Sequence, residues 1–346
     1  MGDLDRALEL FWHPVATLDE VAAALPHPLG VTLLGRDLVV SGQENRYRCF
    51  TDRCPHRSTR LSVGWAEGDG IRCAYHGWRF GPDGHCIEIP AVPGAPIPSR
   101  ACVDAFEATA AYGLVWVRLD RSADTALPCC PAFDDPTMHI VAGEPYTWPT
   151  SAPRRVENFV DLAHFAWVHD GTLGLRAEPV PPVPEVDREN GELRFCYDPP
   201  AMPTPGEALY GASRYRVPMP LTVNIDFTLP LGARRNLWMT ASPLDRGRCR
   251  SFWLVARDDD LDGDLESLDA THLAFQHIVL AEDQPVVCNQ DPPELPLDPG
   301  VELSVRTDKV SIEYRRWLGD LARAAPQGPG SVRAALFPSL HAGAGS

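Results

Sequence analysis

The sequence predicts an α+β protein of two domains, a small all-β domain followed by helices laid on one antiparallel sheet. Three observations carry that expectation. A length of 346 residues is long for a single hydrophobic core. The first third alternates short apolar runs with turn residues, as half-buried strands do. The rest mixes alternating strands with stretches of helical period. The expected boundaries are 8–120 for the first domain, 121–325 for the second and 326–346 for a flexible tail.

Taken in order, Val31-Thr32-Leu33-Leu34 reads as a strand that turns at Gly35-Arg36-Asp37 and returns as Leu38-Val39-Val40. Trp78-Arg79-Phe80 meets Gly81-Pro82-Asp83-Gly84, a hairpin signal, before Cys86-Ile87-Glu88-Ile89. Leu114 to Leu119 is the last strand of the domain. From Asp120 to Pro153 prolines thicken and alternation weakens, which reads as a linker. Arg155 to His169 has helical spacing. A second proline-rich stretch, Pro179 to Pro184, leads to strands over Leu221 to Leu229, Leu237 to Thr240 and Phe252 to Arg257, expected to form one curved antiparallel sheet. Helices are expected over Leu268 to Ala281 and Ser311 to Ala324. Gly, Pro, Ser and Ala dominate from Pro326 onward, which predicts partial disorder.

Composition limits the function classes. Hydrophobic content of 44% and charged content of 23% are those of a globular protein. No uninterrupted apolar run is long enough for a membrane span, and the acidic N-terminus does not read as a signal peptide. A formal charge of −16 argues against a nucleic-acid partner. Eight of the ten cysteines show no framework spacing, so reduced thiols in a cytoplasmic protein are expected.

The chemistry is concentrated in two places. Cys54-Pro55-His56 and Cys73-Ala74-Tyr75-His76-Gly77-Trp78 form a C-x-H and a C-x-x-H pair in loops at strand ends. Two thiolates can hold one iron of a [2Fe-2S] cluster while two imidazoles hold the other. Zinc accepts the same four atoms, although its sites more often pair C-x-x-C with two histidines. The pattern resembles the Rieske family, including the glycine and tryptophan after His76. That resemblance implies cluster ligation by Cys54, His56, Cys73 and His76.

The second place is the run from Glu157 to His169. Asn158, Asp161 and His164 recur at three-residue steps, on one face of a helix. His169, five residues after His164, meets the same metal only if the helix bends or ends between them, and Asp170-Gly171 is a helix stop. A metal there needs a carboxylate to complete a 2-His-1-carboxylate triad with open positions. The D-x-x-H-x4-H spacing is similar to that of the Rieske non-haem iron oxygenases, and the similarity runs from about Phe11 to Leu321. It implies a mononuclear iron held by His164, His169 and Asp283, with Glu282 as the alternative carboxylate. It also implies that Asp161 bridges electron transfer between subunits from His76 of a neighbouring copy, in a head-to-tail homotrimer, and that Asn158 stands near the iron. His272 and His277 repeat the H-x4-H spacing without the upstream Asn and Asp, and read as packing or surface histidines. His13, His27, His85, His139 and His341 show no ligand spacing.

The resemblance implies a helix-grip, START-like catalytic domain behind the Rieske domain. It implies an oxygenase α-subunit close to vanillate O-demethylase and phenoxybenzoate-type aromatic oxygenases. The expected reaction uses O2 and NAD(P)H-derived electrons to hydroxylate, or to O- or N-demethylate, a small aromatic or heterocyclic substrate. Ring dihydroxylation and desaturation stay open at the same iron. No G-x-G-x-x-G fingerprint or flavin segment is present, so a separate flavin and iron–sulfur reductase, or a ferredoxin, must deliver the electrons. A non-enzyme alternative is a Rieske electron carrier with a ligand-binding second half. Asn224 and Trp238 are possible substrate contacts, but ordinary strand packing accounts for them as well.

Overall fold

The computed structural model describes residues 2–44, 46–198, 212–229, 232–259, 261 and 263–337. The chain divides into two compact units, Glu9–Ala126 and Met1–Leu8 with Leu127–Ser346. Helix α1 (Asp3–Leu8) therefore belongs with the C-terminal unit.

The N-terminal unit holds β1 (His13–Thr17), α2 (Leu18–Ala24), β2 (Leu29–Leu33), β3 (Arg36–Gln43), β4 (Arg46–Thr51), β5 (Trp65–Glu67), β6 (Gly70–Arg72), β7 (Arg79–Phe80), β8 (Cys86–Glu88), β9 (Ala105–Ala111) and β10 (Leu114–Arg118). They form a six-stranded sheet in the order β1-β10-β9-β4-β3-β2 and a four-stranded sheet β5-β6-β7-β8. The first hairpin turns at Leu34 and Gly35, whose φ angles of 50° and 75° are both left-handed, and Leu33 pairs Arg36 in register. A two-residue mirror-type turn matches strand twist, so Arg36 and Asp37, expected in the turn, are already in β3. Val39, Phe50, Leu61, Ile71 and Phe80 pack into a core that also contains Cys54 and Cys73. The sulfur atoms are thus rooted in apolar packing while their loops run out to the surface.

The C-terminal unit continues with α3 (Pro131–Asp134), β11 (His139–Ala142), β12 (Tyr146–Trp148), α4 (Ala152–Val160), α5 (Phe165–Val168), β13 (Asp187–Glu189), β14 (Glu192–Tyr197), β15 (Ala212–Pro218), β16 (Thr222–Thr228), β17 (Arg234–Asp245), β18 (Arg248–Arg257), α6 (Leu265–Val287), α7 (Lys309–Ala324) and α8 (Pro329–Leu336). Seven strands run β11-β18-β17-β16-β15-β14-β13, and β12 also pairs β18. The expected linker therefore supplies two strands to this sheet. Strand β11 lies at the edge, where His139, Ile140 and Val141 are only partly buried and Ala142 is exposed, and such a strand leaves little alternation to read.

Two further differences have physical reasons. The tail after Pro326 is helical through α8, which buries Val332 and Leu336 and accepts a hydrogen bond from Trp317 Nε1 at the Ala335 carbonyl, 2.8 Å. Those apolar residues sit four apart on one face, which outweighs the Gly and Pro around them; residues 338–346 lie outside the described residues. The expected helix from Arg155 to His169 is two helices. Asp161 caps α4 with φ −78° and ψ 129°, an extended conformation, and helical geometry resumes after His164.

The sheet has a face toward the helices and a face away. Trp253 meets His277 of α6 at 5.8 Å between ring centroids, and Tyr197 meets Phe165 at 5.9 Å. Alternation puts Val223, Ile225, Met239 and Val255 on that same face. Asn224 and Trp238 pair with each other on the other face, and Trp238 Nε1 donates to the Cys129 carbonyl at 3.2 Å. Both are packing residues. No helix among the described residues is long and apolar enough to cross a membrane.

Candidate metal centres

The two cluster loops are held by their own backbones. Ser58 N donates to the Cys54 carbonyl and Cys54 N to the Thr59 carbonyl, both at 2.9 Å, closing the first loop. Cys73 N donates to the Trp78 carbonyl at 2.8 Å, and Gly77 takes a left-handed φ of 71° that closes the second. Arg72 Nη1 donates to the Gly77 carbonyl at 2.8 Å, anchoring the same turn. The indole of Trp78 stacks on His56 at 4.6 Å and 7°, and His56 lies 4.4 Å from His76. Trp78 is therefore a ring support for the histidine of the other loop.

Cys54 and Cys73 are buried, whereas Tyr75 and His76 are exposed. Burial first, then the neighbouring Cys73, pushes the Cys54 thiol up to about 11. Holding the Cys54 sulfur as a thiolate therefore takes a cation beside it. Burial, then the charges of His76 and Arg57, holds His56 below the ordinary imidazole value, so it stays neutral and able to ligate. Its Nδ1 is buried without a hydrogen-bond partner, a lone pair that suits a metal. The four residues do not converge on one point as tetrahedral zinc requires. Among the described residues, the group whose ligand atoms all lie within 4.8 Å of one another is His164, His169 and Asp283. Two ligands at each of two irons would not converge on one point.

That second group is built by α4, α5 and α6. The break at Asp161 lets the chain swing so that the His164 and His169 rings approach to 5.0 Å. Asp283 Oδ1 from α6 lies 3.2 Å from His169 Nε2 and 3.6 Å from His164 Nε2. Burial raises the Asp283 carboxyl, but the hydrogen bond from His169, then the charges of Arg155 and both histidines, hold it below the usual carboxylate range. Two imidazole nitrogens and one ionised oxygen meeting in a buried pocket suit a divalent iron with open positions.

Carboxylates also stand behind both rings. Glu282 Oε2 lies 2.7 Å from His169 Nδ1, and its other oxygen accepts from Thr172 Oγ1 at 2.8 Å. Asp161 Oδ2 lies 3.3 Å from His164 Nδ1, close enough for charge attraction but off the line of a good hydrogen bond. Such carboxylate partners fix the ring and free Nε2 for the metal. Burial raises Asp161, but pairing with His164 outweighs it and keeps the carboxyl ionised. Glu282, left open from sequence as the alternative ligand, thus faces the far side of His169 and not the ligand cluster. Adjacent residues on a helix point about 100° apart, so only one of Glu282 and Asp283 can face that point. Glu282→Gln is expected to weaken Fe(II) retention by roughly 10–100-fold on dialysis against a chelator, with the cluster's spectrum unchanged.

Asn158 Nδ2 donates to Asp283 Oδ1 at 3.1 Å, so it belongs to the same group. His272 and His277 do not. His272 is half-buried near Arg235 and Arg257, and His277 is exposed against Trp253. His139 pairs with Asp269 at 2.9 Å. Sequence reasoning missed Arg155, whose Nη1 lies 3.6 Å from Asp283 Oδ2; its signal was only a second arginine beside Arg154 at the start of a helix.

Comparison with known proteins agrees in both halves. Residues 11–106 match the Rieske [2Fe-2S] domain model, and residues 148–324 match the vanillate O-demethylase oxygenase C-terminal domain. The chain is 41% identical to the methylxanthine N1-demethylase NdmA of Pseudomonas putida, over 97% of this chain and 95% of that protein. It is 42% identical to the methylxanthine N3-demethylase NdmB of the same organism, over 96% and 95%. The solved structure of Pseudomonas putida NdmA with caffeine superposes with a TM-score of 0.89 over 97% of each chain, at 41% identity.

Proposed function

Since the chain belongs to the Rieske oxygenases with a vanillate O-demethylase-type C-terminal domain, we propose that its substrate is an N-methylated purine of the methylxanthine class. The chain is the oxygenase component of a Rieske non-haem iron monooxygenase, and it hydroxylates or demethylates a small aromatic or heterocyclic substrate. Its cofactors are a Rieske [2Fe-2S] cluster and a mononuclear iron, with O2 as co-substrate and electrons from NAD(P)H through a separate reductase or ferredoxin. The observation that carries the substrate reading is near-equal, near-full-length similarity to both the N1- and the N3-demethylase. The 5,5'-dehydrodivanillate O-demethylase oxygenase subunit of Sphingobium sp. matches over a shorter stretch, 57% of this chain, at 30% identity.

In this reading Cys54 and Cys73 hold one iron of the cluster, and His56 and His76 the other. His164, His169 and Asp283 hold the mononuclear iron. When bound, that iron supplies the O2 activation that puts one oxygen atom into a methyl C–H bond, the other leaving as water. The chain's own residues hold and orient. Glu282 keeps the His169 Nδ1 proton, so Nε2 stays a lone-pair donor. Asp161 stands behind His164 Nδ1 through charge attraction, without the aligned hydrogen bond that Glu282 makes. A hydroxylated N-methyl carbon then falls apart to formaldehyde and the N–H purine.

The homotrimer belongs to the same reading, with Asp161 bridging electron transfer from the cluster held by His76 of a neighbouring copy to the mononuclear site. A cleft opens onto Asp161, Asn158 and His164, and Arg154, Glu157, Glu302 and Arg315 wall it. Beside it Leu303 is 96% exposed. Charged walls with an open apolar rim suit a protein face better than a purine. Of the exposed arginines of the His56 loop, Arg53 and Arg60 pair with Asp37, and Arg57 is a cation of the sign that acids of that cleft attract. A head-to-tail ring of identical contacts is the closed form of such an interface.

The test is turnover with a reductase and NADH on caffeine, theobromine and other methylxanthines, following formaldehyde and demethylated product together. Equal amounts of both support N-demethylation. Formaldehyde from methoxybenzoates and none from any methylxanthine would move the assignment to O-demethylation.

A further inference from the structure

Arg154 and Arg155 open α4, and both are buried, at 1% and 0% exposure. Arginine is almost never fully buried without a charged partner. Arg154 has one in Glu302, at 2.6 Å, and its Nε donates to the Pro292 carbonyl at 2.9 Å. Arg155 finds its partner at the metal-binding group. Its guanidinium lies 4.1 Å from the Phe159 ring centroid and 4.6 Å from that of Trp148, and its Nε donates to the Tyr146 hydroxyl at 2.8 Å. From that aromatic box Nη1 reaches inward, donating to Asn158 Oδ1 and standing 3.6 Å from Asp283 Oδ2.

These contacts sort the two oxygens of Asp283. Oδ1 faces both imidazole Nε2 atoms and accepts from Asn158 Nδ2. Oδ2 faces Arg155. A guanidinium can only donate, so it obliges the Asn158 amide to turn its oxygen toward Arg155 and its NH2 toward Asp283. The amide flip, ambiguous by shape, is decided by the neighbour. Charge agrees with this order. Asp161, Glu282 and Asp283 stand around the two imidazoles, and Arg155 together with a divalent cation would balance them.

We propose that Arg155 is a positioning residue of the mononuclear centre, holding Asp283 Oδ2 outward so that the carboxylate binds metal through Oδ1 alone. The inference rests on the assignment of His164, His169 and Asp283 as ligands. A one-oxygen carboxylate leaves coordination positions free for O2, and a carboxylate free to rotate would bind with both oxygens and fill one. Lysine keeps the charge but lacks the flat face that fits the ring box and the Nε donor to Tyr146 that aim Nη1 at Asn158 and Asp283.

Arg155→Lys and Arg155→Met separate the ring-held planar group from its charge. Each protein is stripped of mononuclear metal with a mild chelator, reloaded with Fe(II) and exposed to nitric oxide with the cluster oxidised and therefore silent. The electron paramagnetic resonance signal of the Fe(II)–nitric oxide adduct reports the symmetry of the ligand set. Both variants are expected to keep the wild-type melting curve and cluster spectrum and to give a signal of altered symmetry. Product formed per O2 consumed should fall on the order of 10-fold. A wild-type signal in both variants, or in Arg155→Lys alone, overturns the positioning role, the second case leaving only a charge effect. If Arg155→Met does not fold, Arg155→Lys decides by itself. An Fe(II)-loaded wild type without any nitric oxide signal would instead remove the ligand assignment beneath the inference.

Discussion

Replacing His164 with alanine is expected to lower the iron content from about three to about two per chain, leave acid-labile sulfide unchanged and abolish product formation. The ring supplies one of three atoms that meet at the centre, and Nε2 of His169 and Asp283 Oδ1 alone make a poor site for Fe(II). The fold should survive, because His164 lies in the short segment between α4 and α5, with 14% of its side chain exposed. The variant also separates the oxygenase from the electron-carrier alternative, since a carrier has no need of the third iron. Metal analysis with electron paramagnetic resonance of the reduced cluster reads both sites at once. A variant that keeps about three irons, or a wild type with about two that added Fe(II) does not raise, would remove the mononuclear centre from the account.

Asp161→Asn should produce the opposite dissection, with the metals present and the current between them interrupted. Asparagine keeps the shape and removes the charge. The hydrogen bond from Ala163 N to Asp161 Oδ1, 2.9 Å, can still be accepted by the amide oxygen. What changes is the pairing with His164 and the ionised group exposed at the cleft. Iron content and cluster spectrum are expected to match wild type. Reoxidation of the reduced cluster by O2 in the presence of substrate should slow by roughly 100-fold, the upper end for loss of a carboxylate partner. Stopped-flow absorbance of the cluster measures that rate. A variant that loses its mononuclear iron would show that Asp161 acts on the site and not on the transfer. Unchanged reoxidation would leave Asp161 an ordinary helix cap.

Much of the candidate site was legible because it is local. C-x-H and C-x-x-H place donors a few residues apart, and a hairpin loop of that length can only present them together. The same holds for Asn158, Asp161 and His164, whose three-residue steps brought them to one side even though Asp161 ends the helix. The condition attached to His169, that the helix must bend or end, is met by that cap. Strands of the central sheet were legible from alternation, whereas β11 and β12 were not. They hold the edge of the sheet beside prolines, and half-buried residues there carry no periodic signal.

What remained illegible spans the chain. Glu282 reaches His169 across 113 positions, and Asn158 reaches Asp283 across 125. The family resemblance pointed to Asp283 over Glu282, but no local pattern says which of the two adjacent acids faces the imidazoles. That choice is made by the rotation of α6 about its axis, set by Gln276, Asp283 and Val287 on its buried face. Arg155 is a further case, since a basic residue in the first turn of a helix reads as solvent-facing. Only packing among Tyr146, Trp148 and Phe159 turns it inward. The sequence by itself determined the donor atoms, the two metals they suit and the order of the domains, because donor chemistry and loop spacing are properties of neighbouring residues. The tertiary structure alone showed which carboxylate meets both imidazoles, which ones stand behind the rings and where the buried cation sits. Those roles depend on distances between elements far apart in the chain, which no local pattern encodes.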